Sequence, residues 1–358
     1  MKIIVLGNMQ PRYQAYGLVQ CLERLGHQVY PLDSQPTSTL WNHLKGFNEA
    51  RIKNCVIVDI AHFLPPEDCD LLIYIMDKIT YSFENLRIPW YFVNTDLLFP
   101  RLPLGGLQYF LGVFNNFLGG QDRLKDLYPY QMNHLHFNKV LPYGVSKDLF
   151  LNPKPYGDRK ISIGFMGSFE MDCHSPNSEK RNIYTTRQYV YDFLKRTYPR
   201  ELILRGNSGF KDYQAFMQET QIHVNVAGDN CDINQRMFEV CLSKGLLIQW
   251  YFYGLEKLAF KDKENCLIVR NLEQLSKALD WALNNPNEAN QIAEQGYKTI
   301  LQHYIQEFQG EKIFDTITHY ETHTVEHIEV VQQLYDAIDE VNFHRLSLPS
   351  WVTIIDNQ

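Results

Sequence analysis

The strongest constraint on the fold is a strand–turn–helix–strand order at the start of the chain. Lys2–Leu6 is a short apolar run typical of a buried strand, and Gly7 follows it as a turn residue. Tyr16–Leu25 has the apolar spacing of an amphipathic helix, and Gln28–Pro31 is a second short strand. This order predicts a βαβ unit, which places both strands in a parallel sheet with the helix on one face.

The same rhythm extends through the first half and starts again near residue 161. Further strands of the first half are predicted at Cys55–Ile60, Leu71–Ile75, Trp90–Asn94, Tyr109–Phe114 and Lys139–Leu141. In the second half, strands are predicted at Ile161–Met166, Glu201–Leu204, Ile222–Val226, Leu246–Phe252 and Cys266–Val269. The helices between and after them are predicted at Asn182–Tyr198, Asp212–Glu219, Asn234–Lys244, Leu272–Leu283 and Pro286–Phe308. The pattern therefore predicts an α/β protein with two doubly wound, Rossmann-like parallel sheets.

Length supports a division into two domains, because the 358 residues exceed the roughly 250–300 at which single cores stop growing. Residues 145–159 combine Pro153, Pro155 and Gly157 with several charges, which is typical of a domain boundary. We expect one domain at 1–150, a second at 151–310 and a helical tail at 311–358.

Composition excludes several classes of protein. The net charge is −7 and the charges form no basic stripe, so nucleic acid is not an expected partner. The seven cysteines include no C-x-x-C pair, which favours reduced thiols in a cytoplasmic compartment. The first residues do not have the pattern of a signal peptide, and the uncharged run 102–121 contains Pro103 and several glycines, which argues against a membrane span. Neither half has G-x-G-x-x-G after its first strand, which disfavours a dehydrogenase.

The segment from Asn234 to Gly245 is the sharpest candidate for a ligand site. Asn234 is a good N-cap and Gly245 a good C-terminal residue for a helix, whose N-terminus can bind phosphate through free N–H groups. Arg236 would pair with that phosphate, and Glu239 would accept hydrogen bonds from ribose hydroxyls. The alternative is a plain amphipathic helix with Glu239 in solvent.

Four segments in order resemble GT-B glycosyltransferases of the group 1, GT4-like type, and especially the CgeB-like family. They are Lys139–Val145 followed by Phe150, Ile163–Ser168, Asp212-Tyr213 with Phe216, and Asn234–Gly245. The resemblance covers about residues 1–310 and implies a GT-B fold, with two Rossmann-like domains that face a cleft. It implies transfer of a sugar from a nucleotide-sugar donor, UDP- or GDP-linked, to a hydroxyl of a glycan, lipid or small-molecule acceptor. No cofactor or metal is expected, and a peripheral membrane contact is left open.

The resemblance also implies that the second domain binds the donor. Gly167 and Ser168 would let the backbone approach the phosphates, and Lys180 or Arg181, at the start of the next helix, would neutralise the leaving diphosphate. The loop from Arg205 to Asn207 is either a nucleotide-binding loop or a simple turn. The candidate donor-site residues are therefore Gly167, Ser168, Lys180, Arg181, Arg205, Asn207, Asp229, Asn234, Arg236, Phe238 and Glu239.

One departure from the family pattern leaves the stereochemistry open. Cys231 stands where many GT4-like enzymes carry an acidic residue, and Asp229 and Asp232 lie close enough in sequence to replace it. A nucleotide-sugar epimerase of the same fold and a catalytically degenerate binding protein stay open as alternatives.

The first domain offers weaker candidates, all of which follow predicted strands. Gly7 and Asn8 would face the donor phosphate across the cleft. Asp96 would act as a general base if the reaction inverts, or would simply cap a helix, and His62 has the same two interpretations.

Overall fold

The structure is a computed structural model with two compact units, Met1–Leu141 with Gln309–Gln358 and Pro142–Phe308. The residues that it describes are 1–11, 13–33, 56–59, 69–75, 80–82, 87–88, 90–94, 110–115, 137–140, 144–167, 172–174, 180–182, 185–205, 209–227, 233–252, 254–306, 310–312, 343–345 and 352–357. In this part of the chain, no helix is long and apolar enough to span a membrane.

The described elements of the first unit are β1 (Lys2–Gly7), α1 (Gln14–Arg24), β2 (Gln28–Asp33), β3 (Val56–Asp59), β4 (Leu71–Ile75), β5 (Thr80–Ser82), β6 (Trp90–Asn94), β7 (Phe110–Asn115) and β8 (Phe137–Val140). Six of these strands form a parallel sheet in the order β2-β1-β4-β6-β7-β8. Its core lies under α1, where Leu18 and Leu22 pack against Ile3, Val5 and Ile73. The predicted βαβ unit is therefore confirmed.

The described elements of the second unit are β9 (Ile161–Met166), β10 (Asp172–His174), β11 (Lys180–Asn182), α2 (Thr185–Thr197), β12 (Leu202–Arg205), α3 (Phe210–Glu219), β13 (Thr220–Asn225), α4 (Gln235–Leu242), β14 (Leu246–Trp250), β15 (Leu267–Val269), α5 (Leu272–Asn284) and α6 (Pro286–His303). Five of these strands form a parallel sheet in the order β12-β9-β13-β14-β15. The chain moves from β9 to β12 and then returns to the other side of β9 at β13, so the direction of winding reverses between β9 and β13.

The segment with linker composition is packed into the second unit. Val145 pairs with the segment after α6, since its N–H donates to the carbonyl of Tyr304 and its carbonyl accepts from Gln306. Val145 and Phe150 are buried, and the Gln214 amide donates to the carbonyl of Leu149 at 2.7 Å. These contacts explain why the segment belongs to the second unit, Pro142–Phe308.

Arg159 stabilises the amino edge of the five-stranded sheet through hydrogen bonds to the backbone. Its buried guanidinium donates to the carbonyls of Lys154, Met217, Thr220 and Ser243. Burial lowers the pKa of Arg159 to about 10, so the group stays charged at neutral pH. These hydrogen bonds hold the four carbonyls close to the points where β9, β13 and β14 begin.

The described end of the chain is strand rather than the predicted helix. Beyond the helical residues 310–312, β16 (Phe343–Arg345) and β17 (Val352–Asn357) pair antiparallel, and β17 pairs antiparallel with β3. With β5 they form a sheet in the order β16-β17-β3-β5. The β-branched run Val352-Thr353-Ile354-Ile355 suits a strand, and its pairing with β3, distant in sequence, overrides the helical pattern.

Candidate functional site

The candidate site lies at the carboxyl edge of the five-stranded sheet, where the winding direction reverses. In open α/β sheets, ligands bind outside the carboxyl ends of the strands at this point. Gly167 follows β9 and Val226 follows β13, so both backbones lie at that edge. Arg187, in the first turn of α2, donates from Nε and Nη2 to the carbonyl of Val226 at 3.2 and 3.1 Å.

Gly167 gives Arg187 the room to lie against the end of β9. A Cβ atom at Gly167 would lie only 3.1 Å from Nη1 and 3.2 Å from Cδ of Arg187. A side chain at position 167 would therefore press on the guanidinium. Arg187 is buried, and it places a permanent positive charge at the switch point of the sheet.

Sequence reasoning missed Arg187, although the sequence contains a signal for it. Arg187, Val190 and Leu194 are all buried and recur on one face of α2. An arginine on the apolar stripe of a helix must find partners inside the protein. Its place in the first turn directs it to the carboxyl edge of the sheet.

Buried amides hold the start of α4 over the same edge. Asn234 is the N-cap, and its Oδ1 accepts from the backbone N–H of Met237 at 3.3 Å, as predicted for a helix start here. The Asn225 amide donates to Asn234 Oδ1 at 2.9 Å and to Gln249 Oε1 at 2.7 Å, and accepts from Asn234 Nδ2 at 3.2 Å. Asn225 and Gln249 are register partners in β13 and β14, so the amides tie the helix to both strands.

Two donors lie buried beside this helix start. Nε2 of Gln235 and Nε of Arg236 are buried and make no hydrogen bond in the described part of the protein. The first N–H groups of a helix also lack intrahelical partners and carry a positive partial charge. The N-terminus of α4 therefore presents several unsatisfied donors, and an anion satisfies such a set.

Glu239 lies inside the unit rather than in solvent. Its carboxylate is fully buried and accepts a hydrogen bond from the hydroxyl of Tyr213, a buried residue of α3. The alternative of a plain amphipathic helix with Glu239 in solvent is wrong. Phe238 is also fully buried and packs against Phe260 and Tyr304, so its role in the described structure is core packing.

Lys180 and Arg181 do not open the helix after β9, which corrects the sequence prediction. They lie in β11, which pairs antiparallel with β10 in the register Cys173 with Arg181, and α2 begins only at Thr185. The intervening strand pair is short and polar, so it leaves no periodic apolar signal.

Arg205 is the last residue of β12 and stands in register with Met166 of β9, which places its backbone at the carboxyl edge. The other candidates of the second half, namely Ser168, Asn207 and Asp229, lie outside the described residues, as do Cys231 and Asp232.

In the first unit, Gly7 ends β1 and Asn8 organises the turn after it. Asn8 Oδ1 accepts from the N–H of Gln10 at 3.0 Å, and Asp33 Oδ1, at the end of β2, accepts from the N–H of Met9 at 3.1 Å. In dinucleotide-binding domains an acidic residue near this place binds a ribose hydroxyl. Here Asp33 binds the turn itself. Asp96 and His62 lie outside the described residues.

Metal ligation has no visible basis in this part of the chain. Among the side chains that the structure describes, no three His, Cys, Asp or Glu residues lie close enough together to hold an ion.

Comparisons with known proteins bear on both halves. Residues 182–313, which include α2, α4 and the amide cluster, match the model of a family described as glycosyl transferase-like. No curated protein gives a significant match. A glycosyltransferase from Rickettsia africae has 12% identity and a TM-score of 0.53, over 92% of this chain and 98% of its own.

Two other solved structures are similar in fold to this protein. HepE from Anabaena, solved in complex with UDP, has 11% identity and a TM-score of 0.52, over 89% of this chain and 100% of its own. Sucrose-phosphate synthase from Thermosynechococcus elongatus has 11% identity and a TM-score of 0.53, over 94% and 100%. The chain has the GT-B fold. Together with the glycosyl transferase-like segment, this confirms the predicted fold and the predicted class of enzyme, a transferase.

Proposed function

We propose that this GT-B protein transfers a sugar from a nucleoside diphosphate donor to an acceptor hydroxyl, and that the second unit binds the donor. The observation that supports this is the group of hydrogen-bond donors at the carboxyl edge. The group consists of the guanidinium of Arg187, the N-terminus of α4, and the atoms of Gln235 and Arg236 that have no acceptor among the described residues. A diphosphate would supply acceptor oxygens for the Gln235 and Arg236 donors, and its negative charge would complement the Arg187 guanidinium and the helix N-terminus.

The nucleotide is proposed to be uridine-based. The support is that HepE, which shares the fold, has been solved with UDP and with UDP-glucose. Glu239 would bind the ribose when a ribose hydroxyl replaces the Tyr213 hydroxyl as the hydrogen-bond donor to its carboxylate. The cations and helix N-terminus would stabilise the leaving diphosphate without a metal ion.

The acceptor would bind the first unit, with Asp96 or His62 as the general base if transfer inverts. The CgeB-like subtype and a cytoplasmic location, with or without peripheral membrane contact, are part of the same proposal and rest on the sequence.

Nucleotide binding is the direct test. Thermal unfolding is recorded with UDP, GDP, TDP, ADP and CMP, because a ligand of the folded state stabilises it by about 2.7 kcal/mol at a hundred times its Kd. We expect UDP to raise the melting temperature most, and Glu239→Ala to weaken that effect. If no nucleotide stabilises the protein, or if Glu239→Ala binds UDP as the wild type does, the donor site is wrongly placed.

Transfer itself is tested by following UDP-sugars with and without acceptor. Release of UDP that depends on an acceptor supports transfer. Interconversion of donor sugars without an acceptor would instead identify an epimerase, and binding without any turnover would identify a degenerate binding protein.

A further inference from the structure

A groove of about 940 Å³ runs along the outer edge of β15, apart from the candidate donor site. Its walls are α5, the start of α6 and the segment that joins β14 to β15. None of its lining residues belongs to the group of donors around Arg187 and Asn234. The edge strand β15 is two places from β13, or roughly 10 Å at the usual strand spacing.

The exposed edge of β15 is closed to another strand. The N–H of Ile268 donates to Asp262 Oδ1 at 2.8 Å, and the N–H of Arg270 donates to Gln274 Oε1 at 2.8 Å. A peptide that adds to a sheet needs such N–H groups as its partners. The side-chain contacts therefore disfavour an extended peptide as the occupant.

The charge of the lining disfavours a polyanion. Three basic residues are balanced by three acidic ones. Nucleic acids and anionic membranes are recognised by an excess of positive charge, which this groove lacks. The six residues are Lys263, Arg270 and Lys277, and Glu256, Asp262 and Glu288.

The groove lining contains both aromatic side chains and hydrogen-bonding groups. Trp281 of α5 is 36% exposed, and the guanidinium of Arg270 stacks 3.5 Å from the ring centroid of Tyr251. The C–H face of a sugar ring packs on such aromatic surfaces, while its hydroxyls both donate and accept hydrogen bonds. Carboxylates, amides and cations together match that mixture of donors and acceptors.

The length of the groove indicates more than one sugar ring. Gln274, Lys277 and Trp281 lie on one face of α5 and line the groove. The helical rise from Gln274 to Trp281, seven positions along the chain, is roughly 10 Å. The volume lies near the upper end of the ~300–1,000 Å³ that is usual for small-molecule sites.

We propose that this groove binds an uncharged oligosaccharide, with Trp281 as its main stacking surface. The binding site is distinct from the donor site and does not depend on it. One consequence rests on the proposed function: in a glycosyltransferase, such a groove holds a glycan acceptor or product at sugars remote from the reacting end.

Calorimetric titration of the full chain with maltohexaose, cellohexaose and chitohexaose tests the inference. We expect at least one of them to bind. Trp281→Ala should raise the Kd of that oligosaccharide by about tenfold or more, which corresponds to a loss of ~1.4 kcal/mol of binding free energy. Tyr189→Ala is the matched control, because Tyr189 is also an exposed aromatic residue on a helix of the same unit, 58% exposed and outside the groove. It should leave the Kd unchanged.

A second variant and a second ligand separate this inference from the donor site. Glu288→Ala, at the start of α6 in the groove lining, should also weaken binding of the oligosaccharide, whereas both variants should bind UDP as the wild type does. Failure of the wild type to bind UDP would refute the donor site and leave the groove standing. The groove assignment is overturned if none of the three oligosaccharides binds, if Trp281→Ala binds them as tightly as the wild type, or if dextran sulfate binds the groove in their place.

Discussion

Replacing Arg187 by methionine removes the charge at the switch point while keeping an unbranched side chain on the buried stripe of α2. In the present structure Arg187 is buried, and two of its donors reach the carbonyl of Val226 at 3.2 and 3.1 Å. If the guanidinium also faces the diphosphate, the substitution must weaken UDP far more than uridine, which lacks phosphate.

The size of this effect follows from the type of bond. A hydrogen bond to a charged group contributes about 1.5–3 kcal/mol, so one lost contact raises the Kd for UDP by roughly 10- to 150-fold. The Kd for uridine should change by less than about twofold on the same reasoning. Leaving the buried carbonyl of Val226 without this donor should also cost about 1–3 kcal/mol of folding free energy.

Isothermal titration of UDP, UMP and uridine into the wild type and into Arg187→Met and Arg187→Lys measures the effect. Lysine keeps the charge but not the fork of donors, so it should recover part of the UDP affinity. Arg159→Lys is the matched control, since Arg159 is also a buried arginine that donates to backbone carbonyls, but at the amino edge of the same sheet. It should lower the melting temperature without changing the ratio of the Kd values for UDP and uridine.

The outcome separates a binding role from a structural one. If Arg187→Met weakens UDP and uridine equally, Arg187 only supports the fold. If Arg159→Lys changes the UDP-to-uridine ratio as much as Arg187→Met, the assignment of the ligand to the carboxyl edge is refuted.

Four further predictions follow from the second unit. Burial lowers the pKa of His223 to about 3, below its unfolded value near 6.5, so only the unfolded chain takes up this proton. Stability should thus fall by about 2 kcal/mol from pH 6.5 to 5, and urea unfolding of His223→Gln should show a smaller loss. Gly245→Ala would place a Cβ atom 2.6 Å from the imidazole of His223, which should cost about 1–3 kcal/mol in thermal unfolding; Gly157→Ala, with open space around it, is its control. Asn234→Ala removes the N-cap bond, which should lower the free energy of unfolding by about 1 kcal/mol and raise the Kd for UDP. If both quantities keep their wild-type values, the capping role is contradicted. Burial raises the pKa of the Cys241 thiol, which should therefore react with a disulfide reagent at pH 8 only after unfolding.

The strands were predictable because buried parallel strands are continuous apolar runs between polar turns. Leu71–Ile75 and Trp90–Asn94 have the predicted bounds, and Ile161–Met166 does as well. The antiparallel pair of β10 and β11 was not predictable, since its three-residue strands are polar and carry no period. The strand β17 was missed for another reason: its partner β3 lies almost 300 residues earlier, and local patterns do not report such pairing.

The candidate site was predictable where it depends on local chemistry and not where it depends on the sheet. The N-cap at Asn234 follows from helix chemistry alone. Asn225, which bonds to that N-cap, and Gln249, which accepts a hydrogen bond from Asn225, are polar residues near the ends of two apolar strands. Only the parallel register brings their amides together. Tyr213 as the partner of Glu239 likewise depends on the packing of α3 against α4.

The two edges of the five-stranded sheet differ in how completely their donors are used, and this difference supports a ligand at one of them. At the amino edge, all three nitrogens of Arg159 donate to backbone carbonyls. At the carboxyl edge, buried nitrogens of Gln235 and Arg236 have no acceptor in the described residues. Each such donor costs about 1–3 kcal/mol, so stability alone would favour apolar residues there. Retaining the donors is consistent with an anionic ligand that satisfies them when it binds.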